Sequence, residues 1–208
     1  MAGKSKRNVP KGEGGLAGAK DRVRNRASPA CVVSLNDWLS PDQKDAVKGM
    51  DLGSMLDIKC STLHNPLINW LAPKYDRFSR SFVIPGRGRI PLTASSVYHS
   101  MGLPRGDVHV RYALDREVEA RLRPVLFPGH VNTPETTEVF TILKDMTTAE
   151  KPFKQIYIMY LISTVLAPTS LNKVSSRCYP IMVIVLFLFI FYHVSPSFLY
   201  GPFLFPEF

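Results

Sequence analysis

Thr133-Pro134-Glu135-Thr136-Thr137-Glu138-Val139-Phe140-Thr141-Ile142-Leu143-Lys144-Asp145-Met146, followed by Ile156-Tyr157-Ile158-Met159-Tyr160-Leu161-Ile162-Ser163-Thr164-Val165-Leu166, decides the fold class. In the first stretch Thr133-Pro134-Glu135 opens a helix. Val139, Ile142, Leu143 and Met146 then fall on one face at helical spacing, the pattern of a helix lying on a core. The second stretch is apolar nearly all round, so it predicts a central buried helix that ends at Ala167-Pro168. The fold expected is mainly α, a multi-helix domain.

Upstream, order should begin near Cys31. Ser40-Pro41-Asp42-Gln43 is a helix start: Ser40 caps, Pro41 suits the first turn, and Gln43 closes a capping box. Gly49 or Gly53 should stop that helix. Asn65-Pro66 opens a short helix expected to bury Leu67, Ile68, Trp70 and Leu71, with Pro73 ending it. Phe82-Val83-Ile84, Pro85-Gly86-Arg87-Gly88 and Arg89-Ile90-Pro91-Leu92 read as one small β-hairpin with a glycine-bearing turn. Thr93 caps a helix over Ala94 to Met101, closed by Gly102 with Pro104 beyond. A charged helix is expected over Asp115 to Arg123, stopped by Pro124. No internal repeat occurs.

The 208 residues carry a formal charge of +9, unevenly spread. Residues 1–29 hold eight Lys and Arg against Glu13 and Asp21, a net +6, which leaves +3 for the remainder. The partner signal therefore falls on the leader. This segment has almost no large apolar side chains and is expected to be disordered, because it cannot bury enough surface to offset its ordering entropy. Lys4, Lys6 and Arg7, then Lys20, Arg22, Arg24 and Arg26, resemble a two-part nuclear import signal, or a weak nucleic-acid contact. The alternative is a solvated tail. Nuclear accumulation of the full chain, lost when these basic residues become Ala, is the outcome import predicts; unchanged distribution would leave the solvated tail.

The remaining polar residues point away from catalysis. Cys31, Cys60 and Cys178 lie far apart and form no disulfide framework or metal pair, and Cys60 is expected to be a small buried hydrophobe. His64, His99, His109, His130 and His193 show no metal-ligand spacing and are expected at surface or half-buried positions. Pro85-Gly86-Arg87-Gly88-Arg89 lacks the Gly-Lys-Ser/Thr ending of a P-loop and reads as a turn, from which Arg87 and Arg89 could touch a phosphate backbone. Asp115, Glu117 and Glu119, alternating with Arg116, Arg121 and Arg123, read as an exposed helix laced by weak ion pairs. No catalytic residue, cofactor-binding residue or metal ligand is assigned.

From Cys178 to Pro206 there is no Lys, Arg, Asp or Glu. Three readings stand for this tail. Tyr179 to Tyr192 is almost unbroken hydrophobe, and a spanning helix of roughly twenty residues would have to run on to Leu199. Residues 179–199 are then a C-terminal membrane anchor on a single-pass protein. Alternatively, the Phe, Leu, Ile, Val, Tyr and Ser content is that of translated thymine-rich intron, with the frame lost just after Met182. The third reading is an ordinary core segment. The expected divisions are a leader over 1–29, a helical domain over 30–178 and a hydrophobic tail over 179–208. The location follows the tail: nucleus if it is aberrant or buried, membrane if it is an anchor.

Gly53-Ser54-Met55-Leu56-Asp57-Ile58-Lys59-Cys60, Leu63 to Leu71, Gly86-Arg87-Gly88-Arg89-Ile90-Pro91-Leu92-Thr93, Val97-Tyr98-His99 and Met101-Gly102-Leu103-Pro104-Arg105-Gly106 together resemble the transposon-derived domain of grass proteins related to the plant mobile domain, often labelled aminotransferase-like. Phe153-Lys154-Gln155-Ile156-Tyr157 and Leu166-Ala167-Pro168-Thr169 match as well, so the resemblance covers about residues 30–182. In larger relatives the domain often precedes a cysteine protease of the SUMO-protease type, which this chain does not contain. The resemblance implies a non-catalytic, mainly helical, nuclear interaction module with an unidentified protein partner, linked to transposon biology or silencing. The family domain continues past the start of the tail, which makes a truncated gene product the expectation. The aminotransferase label brings no lysine in a cofactor-binding context.

Overall fold

The computed structural model describes residues 26–104 and 111–183. The basic leader up to Arg24, His109, and the tail from 184 onward lie outside the described residues; Arg26 is described and exposed.

Ser40 and Gln43 close the expected box: the Gln43 amide donates to Ser40 Oγ at 3.2 Å, and the Ser40 amide to Gln43 Oε1 at 2.9 Å. Helix α2 (Pro41–Lys48) follows, capped at Gly49, and α1 (Pro29–Trp38) precedes it. Gln43 also reaches across the fold, its Nε2 donating to the Met146 carbonyl at 2.8 Å, so one side chain both starts α2 and ties it to the end of α6 (Thr136–Asp145). Helix α6 buries Val139 and Leu143 and half-buries Ile142 and Met146, as the spacing predicts.

Helix α7 (Lys151–Leu161) is the centre of the core and begins five residues before the Ile156 expected from hydropathy alone. Phe153, Ile156, Tyr157, Met159, Tyr160 and Leu161 are all buried, and α2, α6 and the helix α5 (Arg116–Leu126) pack on it. A π turn, Ile162–Leu166, continues α7 to Ala167. Within it Thr164 Oγ1 donates back to the Tyr160 carbonyl at 2.7 Å, the local bonding by which Ser and Thr bend a helix. Ser163 Oγ accepts the Ser175 amide at 3.0 Å, fastening the following segment to the core.

Helix α5 (Arg116–Leu126) corrects the expected stop at Pro124, which lies inside its last turn. A proline there forfeits one backbone hydrogen bond, whereas Leu126 and Phe127 just beyond are buried, and their burial carries the helix through.

Between α2 and α5 come α3 (Asn65–Leu71), strands β1 (Tyr75–Asp76), β2 (Ser81–Ile84) and β3 (Gly88–Pro91), and α4 (Ala94–Met101). The expected hairpin is present, with Phe82 opposite Ile90 and Ile84 opposite Gly88, but β1 adds to it and makes a three-stranded antiparallel sheet in the order β1-β2-β3. The two-residue strand β1, opposite Phe82 and Ser81, is too short for an alternation pattern to show. The expected burial of α3 is also corrected: Leu67 and Trp70 are exposed, and Ile68 and Leu71 only half-buried. Its N-terminus is capped by His64, whose Nδ1 accepts the Leu67 amide at 3.1 Å.

Helix α4 starts with the Thr93–Ser96 capping box and ends at Gly102, which is left-handed at φ 62°. A Cβ on Gly102 would stand 2.7 Å from Ser54 Cβ. Gly102→Ala should therefore lower stability by about 2 kcal/mol, from the left-handed backbone and the collision together. Adding Ser54→Gly should recover part of the loss, and urea midpoints of the two variants measure both. A Gly102→Ala protein as stable as the parent would contradict this packing.

Candidate interaction surface

Ile58 and Met101 are partly buried against the core, and the chain between them supplies no member of it. Of residues 59–101 only Ser81 is buried. Yet this segment exposes Leu67, Trp70, Tyr75, Phe78, Ile90, Leu92, Val97 and Tyr98, with Phe78 at 91% and Trp70 at 50%. Single exposed apolar side chains are ordinary, but a run of them on a folded module marks a contact surface.

The charge of this segment is equally distinct. Lys59, Lys74, Arg77, Arg80, Arg87 and Arg89 face a single carboxylate, Asp76, a net +5 over residues 59–101. The +3 outside the leader is thus far from uniform, since residues 59–101 alone carry more than all of it. Asp76 is committed to its own turn: it accepts from Ser79 Oγ at 2.6 Å and from the Phe78 amide at 3.0 Å, and these hydrogen bonds hold its carboxyl below the usual carboxylate range.

Cations and rings alternate at close range. Lys74 Nζ lies 4.4 Å from the centre of the Trp70 ring, and the Arg77 guanidinium 5.7 Å from that of Phe78. Trp70, Lys74, Ile84, Pro85 and Arg87 line an open groove of roughly 540 Å³. Arg87 sits at the hairpin tip between Gly86 (φ 71°) and Gly88 (φ 102°), the left-handed geometry that only a glycine-bearing turn adopts cheaply. Arg87 and Arg89 are both exposed, in keeping with their sequence reading. Cys60 is exposed rather than buried, a correction; it belongs to a segment that reaches no core.

A second feature lies under α5. The expected exposed, ion-paired helix shows one internal ion pair among the described residues, Arg123 to Glu119 at 3.5 Å, and Glu119 is largely buried. Glu119 Oε1 accepts from Thr133 Oγ1 at 2.9 Å and from Ser176 Oγ at 3.0 Å, joining α5 to the starts of two other segments. A periodic charge pattern does not reveal which carboxylate turns inward; the partners, Thr133 and Ser176, are distant in sequence.

Cys178 and Tyr179 lie beside this network, fully buried. Burial pushes the Cys178 thiol up from 9.0 to about 11, against the pull of hydrogen bonds from Ser163 and Ser175. Burial, helped by the Glu119 charge, pushes the Tyr179 phenol up from 10.0 to about 12. Both groups are neutral in the fold and ionise more readily in the unfolded chain. Their stabilisation is whole below pH 9 and lost as pH rises through 9 to 12. Urea midpoints should fall over that alkaline window, and Cys178→Ala should remove the earlier part of the fall.

Among the described residues no group of His, Cys, Asp and Glu is placed to hold a metal ion, and no helix is long and apolar enough to cross a membrane. The membrane-anchor reading of 179–199 falls mostly outside the described residues. Of the part that is described, residues 179–183, Tyr179 to Met182 are packed in the core and Val183 is half-buried.

Fold and surface together define a mainly α-helical protein whose small antiparallel sheet and flanking helices carry a basic, aromatic face. The chain belongs to the family described as Domain of unknown function (DUF8566), whose family model matches residues 25–185. No curated protein and no solved structure matches the chain.

Proposed function

We propose that this protein is a non-catalytic interaction module that engages its partner through the face formed by residues 59–101. One observation carries the reading: a folded segment buries a single residue while exposing Trp70, Phe78 and their neighbours. Side chains of this size gain about 1.5–3 kcal/mol each when covered, so a partner that covers several has ample driving force. Transposon origin and nuclear residence accompany this reading on the strength of the motifs that resemble the plant mobile domain. The burial of Tyr179–Met182 favours it over a membrane anchor starting at 179, because those residues are already committed to the core.

A photo-crosslinking residue at Phe78 in the full chain should give discrete adducts in whole-cell extract, and one at Val131, which is 82% exposed, should not. Equal adduct yields at the two positions, or none at Phe78, would overturn the assignment of this face. An absorption spectrum without a Schiff-base band tests the non-catalytic part; a bound pyridoxal phosphate would refute it.

A further inference from the structure

We infer that the groove between α3 and the hairpin tip is a binding site for single-stranded nucleic acid, with Trp70 stacking on an unpaired base and Lys74 and Arg87 holding the adjoining phosphates. This inference rests on the proposed interaction face and names its ligand. Three observations carry it.

The first is charge. A net +5 over residues 59–101, with its one carboxylate tied into a turn, complements a polyanion. The second is ring availability. Trp70 is half exposed in the groove, with Lys74 over one face of its ring, and Phe78 is almost fully exposed, so both rings present surface that a base can cover. A duplex keeps its bases stacked on each other; only unpaired bases can lie on protein rings. The third is the pairing of each ring with a cation, Lys74 over Trp70 at 4.4 Å and Arg77 beside Phe78 at 5.7 Å. Alternating cations and aromatic rings match the alternation of phosphate and base along a strand, and the ring–base contact is tolerant of sequence.

An acidic polypeptide would satisfy the first observation but has no regular supply of flat rings for the other two. A protein partner is therefore the competing outcome of the test.

The experiment uses the full chain carrying Trp38→Phe, so that Trp70 is the sole tryptophan emitter. Titration with an oligothymidylate of roughly 16 nucleotides is expected to quench Trp70 emission. The apparent affinity should fall steeply between about 50 and 200 mM salt as counterions are released. Arg87→Ala and Trp70→Ala should each weaken binding roughly tenfold to a hundredfold by anisotropy of a labelled strand, and Trp70→Phe should restore much of the second loss. Arg87 is exposed at the turn, so its variant tests the site without disturbing the core. Replacing Lys4, Lys6, Arg7, Lys20, Arg22, Arg24 and Arg26 by Ala should leave the Trp70 quench in place.

Quenching by duplex as strong as by single strand, quenching by poly-glutamate as strong as by oligothymidylate, or loss of the quench with the leader charges alone would each overturn the nucleic-acid assignment. Failure here is distinct from failure of the interaction face. Phe78 adducts that resist nuclease would keep the face and remove the nucleic acid.

Discussion

Removing Tyr179 to Met182 from this protein is expected to abolish its fold. Tyr179 and Met182 are 0% exposed and Ile181 is 7% exposed, all members of the central cluster. Met182 also anchors the backbone: its carbonyl accepts from Gln155 Nε2, a buried side chain of α7, at 3.4 Å. Emptying a buried Tyr or Met site costs about 2–5 kcal/mol, and domains of this size hold only about 5–15 kcal/mol in total. Tyr179→Ala with Met182→Ala in the full chain should therefore shift the urea transition by several kcal/mol, and a stop codon after Cys178 should leave no cooperative transition. Circular dichroism across a urea series reads both. A cooperative transition in the chain ending at Cys178 would show that the apolar segment is dispensable and restore a domain edge at 178. Tyr179, Ile181 and Met182 are buried, and the family match runs to residue 185.

The sequence disclosed the helices whose signals are local. Ser40 with Gln43, Thr93 and Gly102 are caps made within a few residues, and each stands where its pattern put it, with Ser96 completing the Thr93 box in the structure. The α6 stripe was legible because one face of a helix on a core has a fixed period. What could not be read was set by distant partners. Whether Leu67 and Trp70 of α3 are covered depends on elements that never reach them, so apolarity alone predicted burial that does not occur. Glu119 turns inward because Thr133 and Ser176 meet it, and nothing in the run of charges around it marks that choice. Strand β1 exists only by pairing with β2. The basic cluster of residues 59–101 was visible in the letters, but it is dispersed over several elements and becomes a patch only when α3 and the hairpin are brought together.

Phe153→Ala and Phe78→Ala should have opposite consequences, and the contrast tests how labour is divided in this fold. Phe153 is 0% exposed on α7, its ring stacked on Tyr157 with centroids 5.8 Å apart. Its loss should cost about 3–5 kcal/mol, whereas Phe153→Leu, which keeps most of the volume, should cost well under half of that. Phe78 is 91% exposed in the turn after β1, and its replacement should change stability by no more than about 0.5 kcal/mol. The aromatic residues of α7 would thus act on folding and those of residues 59–101 on binding. Urea midpoints for both variants, with strand binding for Phe78→Ala, separate the two roles. If Phe78→Ala destabilised the protein as strongly as Phe153→Ala, the exposed face would be part of a packed structure. The physical ground for treating it as a partner surface would then be gone, because no uncovered ring would be left for a partner to cover.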